Sequence, residues 1–358
     1  MVRDVRIGSC VVGDGRPPLF LGEIGALFNR DLALAETLID RVAAVARDSQ
    51  VLPVMLKGEI LHDPDICLDD DTVETFQSKS GNRRQERYRA LIERKCVSLD
   101  DYARLIAHAR GAGLELVMSV YDFAGADFAK DQGIVAIKIA SSNVTHLPLI
   151  RHCAGLGIPL IIDDGRASLA EIDRAVRVAR DAGCDDLVLQ HSPDGHPAPP
   201  GNHNLRSLRT LSGTFGVPNG LSDHHSGTDM LTLAIGLGTH LIEKNVVGDD
   251  QALEQDYAIS AGVDDLAGLI GRLEACWLAL GDRWRDVNNT EGLIATSARM
   301  GLVTRRQVAA GETMSPETVG FAFPARGIRV EDFDRVQGWR FRAALDAGSV
   351  IGWGDVDA

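Results

Sequence analysis

The chain has 358 residues, with 37 Lys and Arg against 51 Asp and Glu, a formal net charge of −14. Hydrophobic residues make up 45% and aromatic residues 5%, which excludes wholesale disorder and fibrous structure. The acidic balance argues against nucleic acid and anionic membranes as partners, because both need basic patches.

The N-terminus, Met1 to Gly15, carries Arg3, Asp4 and Arg6 and no long apolar stretch, so no signal peptide is expected. No run approaches the ~20 apolar residues that span a bilayer. The six cysteines are scattered without a CxxC pair. That pattern fits reduced thiols and a cytoplasmic location.

Short apolar runs alternate with longer stretches of helical periodicity. Strands are expected at Leu19–Glu23, Val51–Lys57, Leu114–Val120, Ala136–Ile139, Pro159–Asp163, Asp186–His191, Val217–Leu221 and His240–Glu243. Helices are expected at Leu32–Arg47, Leu99–Gly111, Ala124–Gln132, Leu147–Ala154, Leu169–Ala182, Leu205–Phe215, Asp229–Leu237 and about Asp264–Leu280. In the first helix Leu32, Ala35, Leu38, Ile39, Val42 and Val45 fall on one stripe. Eight such pairs match a (β/α)8 TIM barrel, an α/β fold. The alternative, a doubly wound open sheet, usually carries an early Gly-rich phosphate loop, and no GxGxxG or GxxxxGK follows a strand here.

The stretch Ile60–Arg94 breaks the rhythm and is too long for an ordinary connection, so it is read as a functional loop or a cover over one barrel mouth. A disordered insertion is the other reading. The expected division is a barrel at 1–281, a linker at 282–296 and a small, mostly β domain at 297–358. The last has turn markers at Gly311, Pro316, Pro324, Gly327, Gly338, Gly348 and Gly354.

Barrel active sites gather at the C-terminal ends of the strands. There the sequence delivers Glu23, Lys57, Ser119 with Tyr121 and Asp122, Lys138 with Ser141, Asp163 with Asp164, His191, then Asp223, His224 and His225, and finally Glu243, Lys244 and Asn245. Ionisable groups are rarely buried unless paired or used, so eight strand ends of this kind mark a site. Lys57 and Lys138 suit a phosphate or a carboxylate, or a Schiff base. His191, His224, His225, Glu243 and Asp256 have the chemistry of divalent-metal ligands.

The stretches LGEIGALFNRDLALAETLID (21–40), IKIASSNVTHLPLI (137–150), GIPLIIDDGRASLAEIDRAV (157–176), NLRSLRTL (204–211) and GLSDHHSGTDMLTLAIGLGTHLIEKN (220–245) resemble the sialic acid synthase (N-acetylneuraminate synthase) family. VTRRQVAAGETMSPETVGF (303–321) resembles that family's antifreeze-like, SAF-type domain. The resemblance covers nearly the whole chain in order. It implies a TIM barrel and condensation of phosphoenolpyruvate, or a related pyruvyl donor, with a sugar or other aldehyde. It also implies a divalent metal, manganese or magnesium, and a homodimer with swapped C-terminal domains. Carried over by position, Glu23, Asp256 and His191 are catalytic candidates. Lys57, Lys138, Ser141, Ser119, Asp163 and Arg166 would bind the donor. Asn82, Asp194, His196 and Arg326 would bind the acceptor, and His224 and Glu243 would hold the metal.

The departures are specific. Asn245 stands where the family has its second metal histidine. Asp163-Asp164-Gly165-Arg166 replaces an STGM phosphate loop, and Ser119-Val120-Tyr121-Asp122 replaces STPF. Leu189-Gln190-His191-Ser192 replaces LLHC, with His196 at a tyrosine position. Lys57-Gly58-Glu59 replaces KFQ, and Phe323 replaces the RPG arginine, with Arg326 three residues on. A rewired barrel acting as lyase, hydrolase or isomerase through Asp163, Asp164, His191 and His196, or a sugar-binding pseudoenzyme, are the alternatives.

Overall fold

Eight parallel strands close on themselves in the computed structural model, which describes residues 2–281 and 298–358. They are β1 (Leu19–Gly25), β2 (Val54–Ile60), β3 (Leu116–Val120), β4 (Ala136–Ile139), β5 (Leu160–Asp163), β6 (Leu187–His191), β7 (Asn219–Ser222) and β8 (Leu241–Val247). Neighbours pair in sequence order, and β8 closes the barrel on β1, with Leu241 opposite Leu19 and Asn245 opposite Glu23. Helices α1 (Leu32–Asp48), α2 (Leu99–Gly111), α3 (Phe123–Asp131), α4 (Leu147–Gly155), α5 (Leu169–Asp181), α6 (Ser207–Phe215), α7 (Asp229–Leu237) and α8 (Leu266–Leu280) complete a TIM barrel.

Local chemistry starts these helices where the sequence places them. Asp31, Ser98, Asp122 and Ser168 each accept a hydrogen bond from a backbone N–H of the first helical turn. Ser168 and Glu171 close a full capping box. On α1 the residues Ala35, Leu38, Ile39, Val42, Ala43 and Val45 are the buried ones, the stripe expected from period 3.6.

Most strands shift by one or two residues from expectation, and two differ more. The second spans Val54–Ile60 rather than Val51–Lys57, so Lys57 lies mid-strand and Glu59 nearer its end. The eighth continues to Val247. Both carry an unbroken run of backbone pairing past their charged residues, which local periodicity does not report.

The segment after β2 is structured. It holds a short turn (Pro64–Ile66), an antiparallel hairpin (Val73–Gln77 with Arg83–Arg87) and a helix (Tyr88–Lys95). A second hairpin, Val5–Ile7 with Cys10–Val12, precedes β1. Its Val5, Ile7 and Val12 pack in one buried cluster with Leu19, Leu21, Met55, Val117, Ala136, Ile161, Val188 and Leu241.

The chain divides into two compact units, Met1–Gly281 and Asp282–Ala358. The second has its own core of Leu302, Val308, Met314, Val319, Ile328, Val336, Phe341, Ile351 and Val356. It carries two short antiparallel pairs, Gly301–Thr304 with Val319–Ala322 and Arg340–Phe341 with Val356–Asp357. The whole of the expected linker at 282–296, and residue 297, lie outside the described residues.

Candidate active site

Strand side chains alternate between two faces, and that period builds the site. Leu19 and Leu21 are followed two residues on by Glu23, Met55 by Lys57, Val117 by Ser119 and Ala136 by Lys138. Ile161 is followed likewise by Asp163, Val188 by Gln190 and Leu241 by Glu243. An apolar layer inside the barrel is thus succeeded by a polar one. Register sets the neighbours, with Glu23 opposite Lys57, Ser119 opposite Lys138, and Asp163 opposite Gln190.

The layer is buried and heavily paired. Lys57 forms an ion pair with Glu23 and lies 3.6 Å from Glu59 Oε1. Lys138 Nζ donates to Glu243 Oε1 at 2.5 Å and to Ser222 Oγ at 3.4 Å, and lies 3.0 Å from Asp163 Oδ2. Glu243 also accepts from Ser222 Oγ at 3.0 Å and Gln190 Nε2 at 3.3 Å. Tyr121 donates to Glu59 Oε1 at 2.8 Å. Ser119 Oγ, Asp163 Oδ1 and Gln190 Oε1 are buried and have no partner among the described residues.

Four carboxylates thus surround two ammonium groups, and they do not titrate alike. Burial, with the Glu243 and Glu59 charges added, pushes Glu23 well above the usual carboxylate range against the pull of Lys57. Burial opposes ionisation of Glu243 too, but Lys138 and Lys57 outweigh it and hold that carboxyl below its ordinary value. Burial pushes Asp163 up to about 6, with Lys138 opposing. The two carboxyls are thus pushed in opposite directions, Glu23 up and Glu243 down, the kind of split that suits Glu23 to a general acid's role.

The outward-facing residues of the same strand ends make a second set. His191 Nδ1 faces Asp164 at 3.0 and 3.1 Å, and His191 Nε2 faces the His203 carbonyl at 2.6 Å. Nε2 donates to the carbonyl, and Asp164 beside Nδ1 raises the pKa of His191 although burial opposes it. This ties His191, expected as a catalytic candidate, to Asp164 and to the His203 backbone. Lys244 Nζ, wholly buried, donates to Asp223 Oδ2 at 2.8 Å and to the carbonyls of His225 at 2.6 Å and Gly227 at 2.9 Å. This pins the loop that carries His224.

A cavity of about 500 Å³ opens at this rim. Glu23, Glu59, Tyr121, Asn245 and Asp256 line it from the barrel, Ser142, Asn143 and His146 from the segment after β4. Ile66, Cys67, Tyr88, Ile92 and Lys95 line it from the insertion after β2. Ser141 begins a single turn, Ser141–Asn143, directly after β4. Gly165 lies so close that a Cβ there would sit 2.5 Å from the Ser141 Cβ.

Other expected residues fall elsewhere. Asn82 is exposed at the hairpin tip, bonded to Ser80 Oγ at 3.3 Å, and does not line the cavity. Arg166, at φ 59°, turns outward to Asp194 at 2.7 Å, and both side chains are exposed. Arg166, expected to bind the donor beside Asp163, thus has its ion pair with Asp194 instead. His196 packs against His224, ring centroids 4.4 Å apart. Arg326 belongs to the second unit.

The expected metal pair does not assemble. His224 directs Nδ1 to the Pro193 carbonyl at 3.0 Å and Nε2 to Ser192 Oγ at 3.4 Å, while Glu243 is committed to Lys138, Ser222 and Gln190. Among the described residues no three His, Cys, Asp or Glu side chains converge as a metal site. The donor set present does not fit the ion.

Lys95, Glu59 and Asn143 were not singled out as site residues by the sequence. They sit on an insertion helix, two residues beyond a lysine on the same strand, and in a post-strand turn, places a scan of expected strand ends passes over.

Comparison with known proteins bears on all of this. The NeuB family model matches residues 61–285 and the SAF domain model residues 299–357. N,N'-diacetyllegionaminic acid synthase of Legionella pneumophila is 26% identical over 351 residues, 97% of this chain and 96% of its own. The enzyme of the same name from Campylobacter jejuni is 26% identical over 320 residues, 88% of this chain and 94% of its own. The solved N-acetylneuraminic acid (sialic acid) synthetase of Leptospira borgpetersenii superposes with a TM-score of 0.71 at 22% identity, over 82% of this chain and 96% of that one. That last likeness concerns the fold.

Proposed function

On the premise that the chain belongs to the NeuB family, we propose that it condenses phosphoenolpyruvate, or a related pyruvyl donor, with a sugar or other aldehyde to form a carbon–carbon bond. Synthases of this family are generally metal-dependent. Because the donor set here does not fit an ion, no step is routed through one.

The observation that carries the reading is the polar layer itself: two buried lysines among four carboxylates, Glu23 lining the cavity, at the C-terminal mouth of a TIM barrel. In this reading the donor's anionic groups reach Lys57 and Lys138 by displacing the carboxylates that pair with both lysines in the free protein, with Ser119 and Ser141 as neutral hydrogen-bond partners. Glu23 lines the cavity, and its raised pKa suits it to give a proton to the aldehyde oxygen as C3 of the enol donor attacks the carbonyl carbon; water adds at the donor's C2 and phosphate leaves, which gives the keto acid. Asp256 orients the acceptor from the opposite wall, and His196 flanks His224 beside it. A homodimer in which Arg326 of one copy approaches the site of the other is part of this proposal.

The test is phosphate release from phosphoenolpyruvate, with and without manganese, against a panel of aldoses. Release that requires an acceptor, with a new keto acid formed, supports the reading. Failure of the protein to bind phosphoenolpyruvate in calorimetry sinks it.

A further inference from the structure

The two lysines of the polar layer are already neutralised. Lys138 directs its ammonium at three acceptors, and Lys57 has two carboxylates beside it. Neither lines the cavity. Lys95 is different. It is the last residue of the insertion helix, 4% exposed, and it lines the cavity. Its Nζ donates to Gln255 Oε1 at 2.8 Å. Among the described residues no carboxylate lies within 4.0 Å of it. An ammonium has three donors, and a buried charge without a counter-ion is costly. Lys95 therefore presents unfilled donors and a positive charge with no carboxylate in contact; the Glu59 carboxylate across the cavity feels that charge but is engaged by Lys57 and Tyr121.

It is also held there. Its neighbour Arg94 bonds Glu86 at 2.9 Å, Glu254 at 2.7 Å and Asn29 at 2.8 Å, tying the insertion helix to the loop that carries Gln255 and Asp256. The cost of ordering this side chain is met in the folded protein rather than on binding. Asp256 lines the same cavity in a left-handed backbone conformation, φ 66°, and Asn143 and Ser142 add neutral hydrogen-bonding groups.

We propose that Lys95 is an anion seat, binding a carboxylate or phosphate carried by the molecule in this cavity, while Gln255, Asp256 and Asn143 read hydroxyl groups beside it. That the cavity is the substrate site rests on the function proposed above; the charge of Lys95 does not. The anionic group comes either from an acidic or phosphorylated aldose or from the donor.

Calorimetry on the full chain, with an N-acetylhexosamine, its 6-phosphate and phosphoenolpyruvate as separate probes, tests this. Lys95→Gln is expected to weaken binding of the sugar phosphate at least tenfold and leave the neutral sugar unchanged, with Lys95→Arg restoring most of the loss. The same loss for phosphoenolpyruvate alone assigns the seat to the donor and supports the anion site equally. Unchanged affinity for both anions in Lys95→Gln overturns it. Wild-type protein gives an independent check that needs no variant: its affinity for whichever anion it binds falls as KCl rises, while neutral-sugar binding does not. Anion affinity indifferent to salt overturns the seat. A protein that holds the sugar phosphate through Lys95 yet neither binds phosphoenolpyruvate nor releases phosphate from it refutes the proposed reaction and supports the seat.

Discussion

Replacing Lys244 with Met should destabilise the barrel more than most single substitutions. The ammonium and the Asp223 carboxylate are both wholly buried, 2.8 Å apart, and the other donors of Lys244 satisfy the His225 and Gly227 carbonyls. Removing the lysine leaves a buried carboxylate with His203 Nε2 at 3.5 Å and the His225 N–H as remaining partners, and it orphans two carbonyls. Breaking a buried pair from one side costs about 3–5 kcal/mol. At roughly 2–4 °C per kcal/mol for a domain of this size, the midpoint should fall by about 10 °C. Circular dichroism during urea and thermal unfolding at pH 7.5 measures it. The double variant Lys244→Met, Asp223→Leu removes the stranded charge and should recover much of the loss. A Lys244→Met protein within 1 kcal/mol of wild type (about a fivefold change in the folding equilibrium), or a double variant no better than the single, would refute the reasoning. Asp223 is depressed, with Lys244 and His203 overcoming burial, so its contribution is present above about pH 3.9 and fades as pH falls below that value.

Asp163 has the opposite sign. Its folded-state pKa, near 6, lies above the ordinary ~3.9, so the folded protein holds this proton more tightly than the unfolded chain. Stability from this group is therefore full below about pH 4 and lost as pH rises through 6, a swing of about 3 kcal/mol. Asp163→Asn should abolish that slope while keeping an oxygen for Lys138; urea titrations of both proteins from pH 4 to 7.5 check it, and parallel profiles would count against it. Gly165→Ala drives a methyl group into Ser141, and overpacking of this kind costs about 1–3 kcal/mol. A raised KM for the donor should accompany the lower melting temperature; a variant with both unchanged contradicts the contact.

The barrel was legible because its eight strands and helices keep their periods for long enough to read. The three-residue strands at Val5 and Cys10 were not, since no period is visible over so short a run, and the charged hairpin around Asn82 buries one hydrophobe, Phe76, too few to show a period. The ionisable groups of the site were legible as types, but their partners were not. Whether Lys138 meets Asp163, or Arg166 turns outward to Asp194, depends on cross-strand register and on one left-handed residue, neither of which composition fixes. Lys95 escaped notice because a lysine on an amphipathic helix reads as a solvated charge until the opposite wall of the cavity is in place.

The Arg94 clasp has a consequence for descent. It joins the insertion to the loop before α8 through side chains alone, while the charged floor of the site is built on strands that the insertion does not replace. The roof of the cavity and its floor are therefore separable in heredity. A lineage can exchange the stretch between β2 and α2, alter which molecule fits beneath it, and keep the bond-forming layer untouched. Grafting that stretch between relatives, together with the residues that clasp it, is the direct way to transplant a preference from one barrel to another.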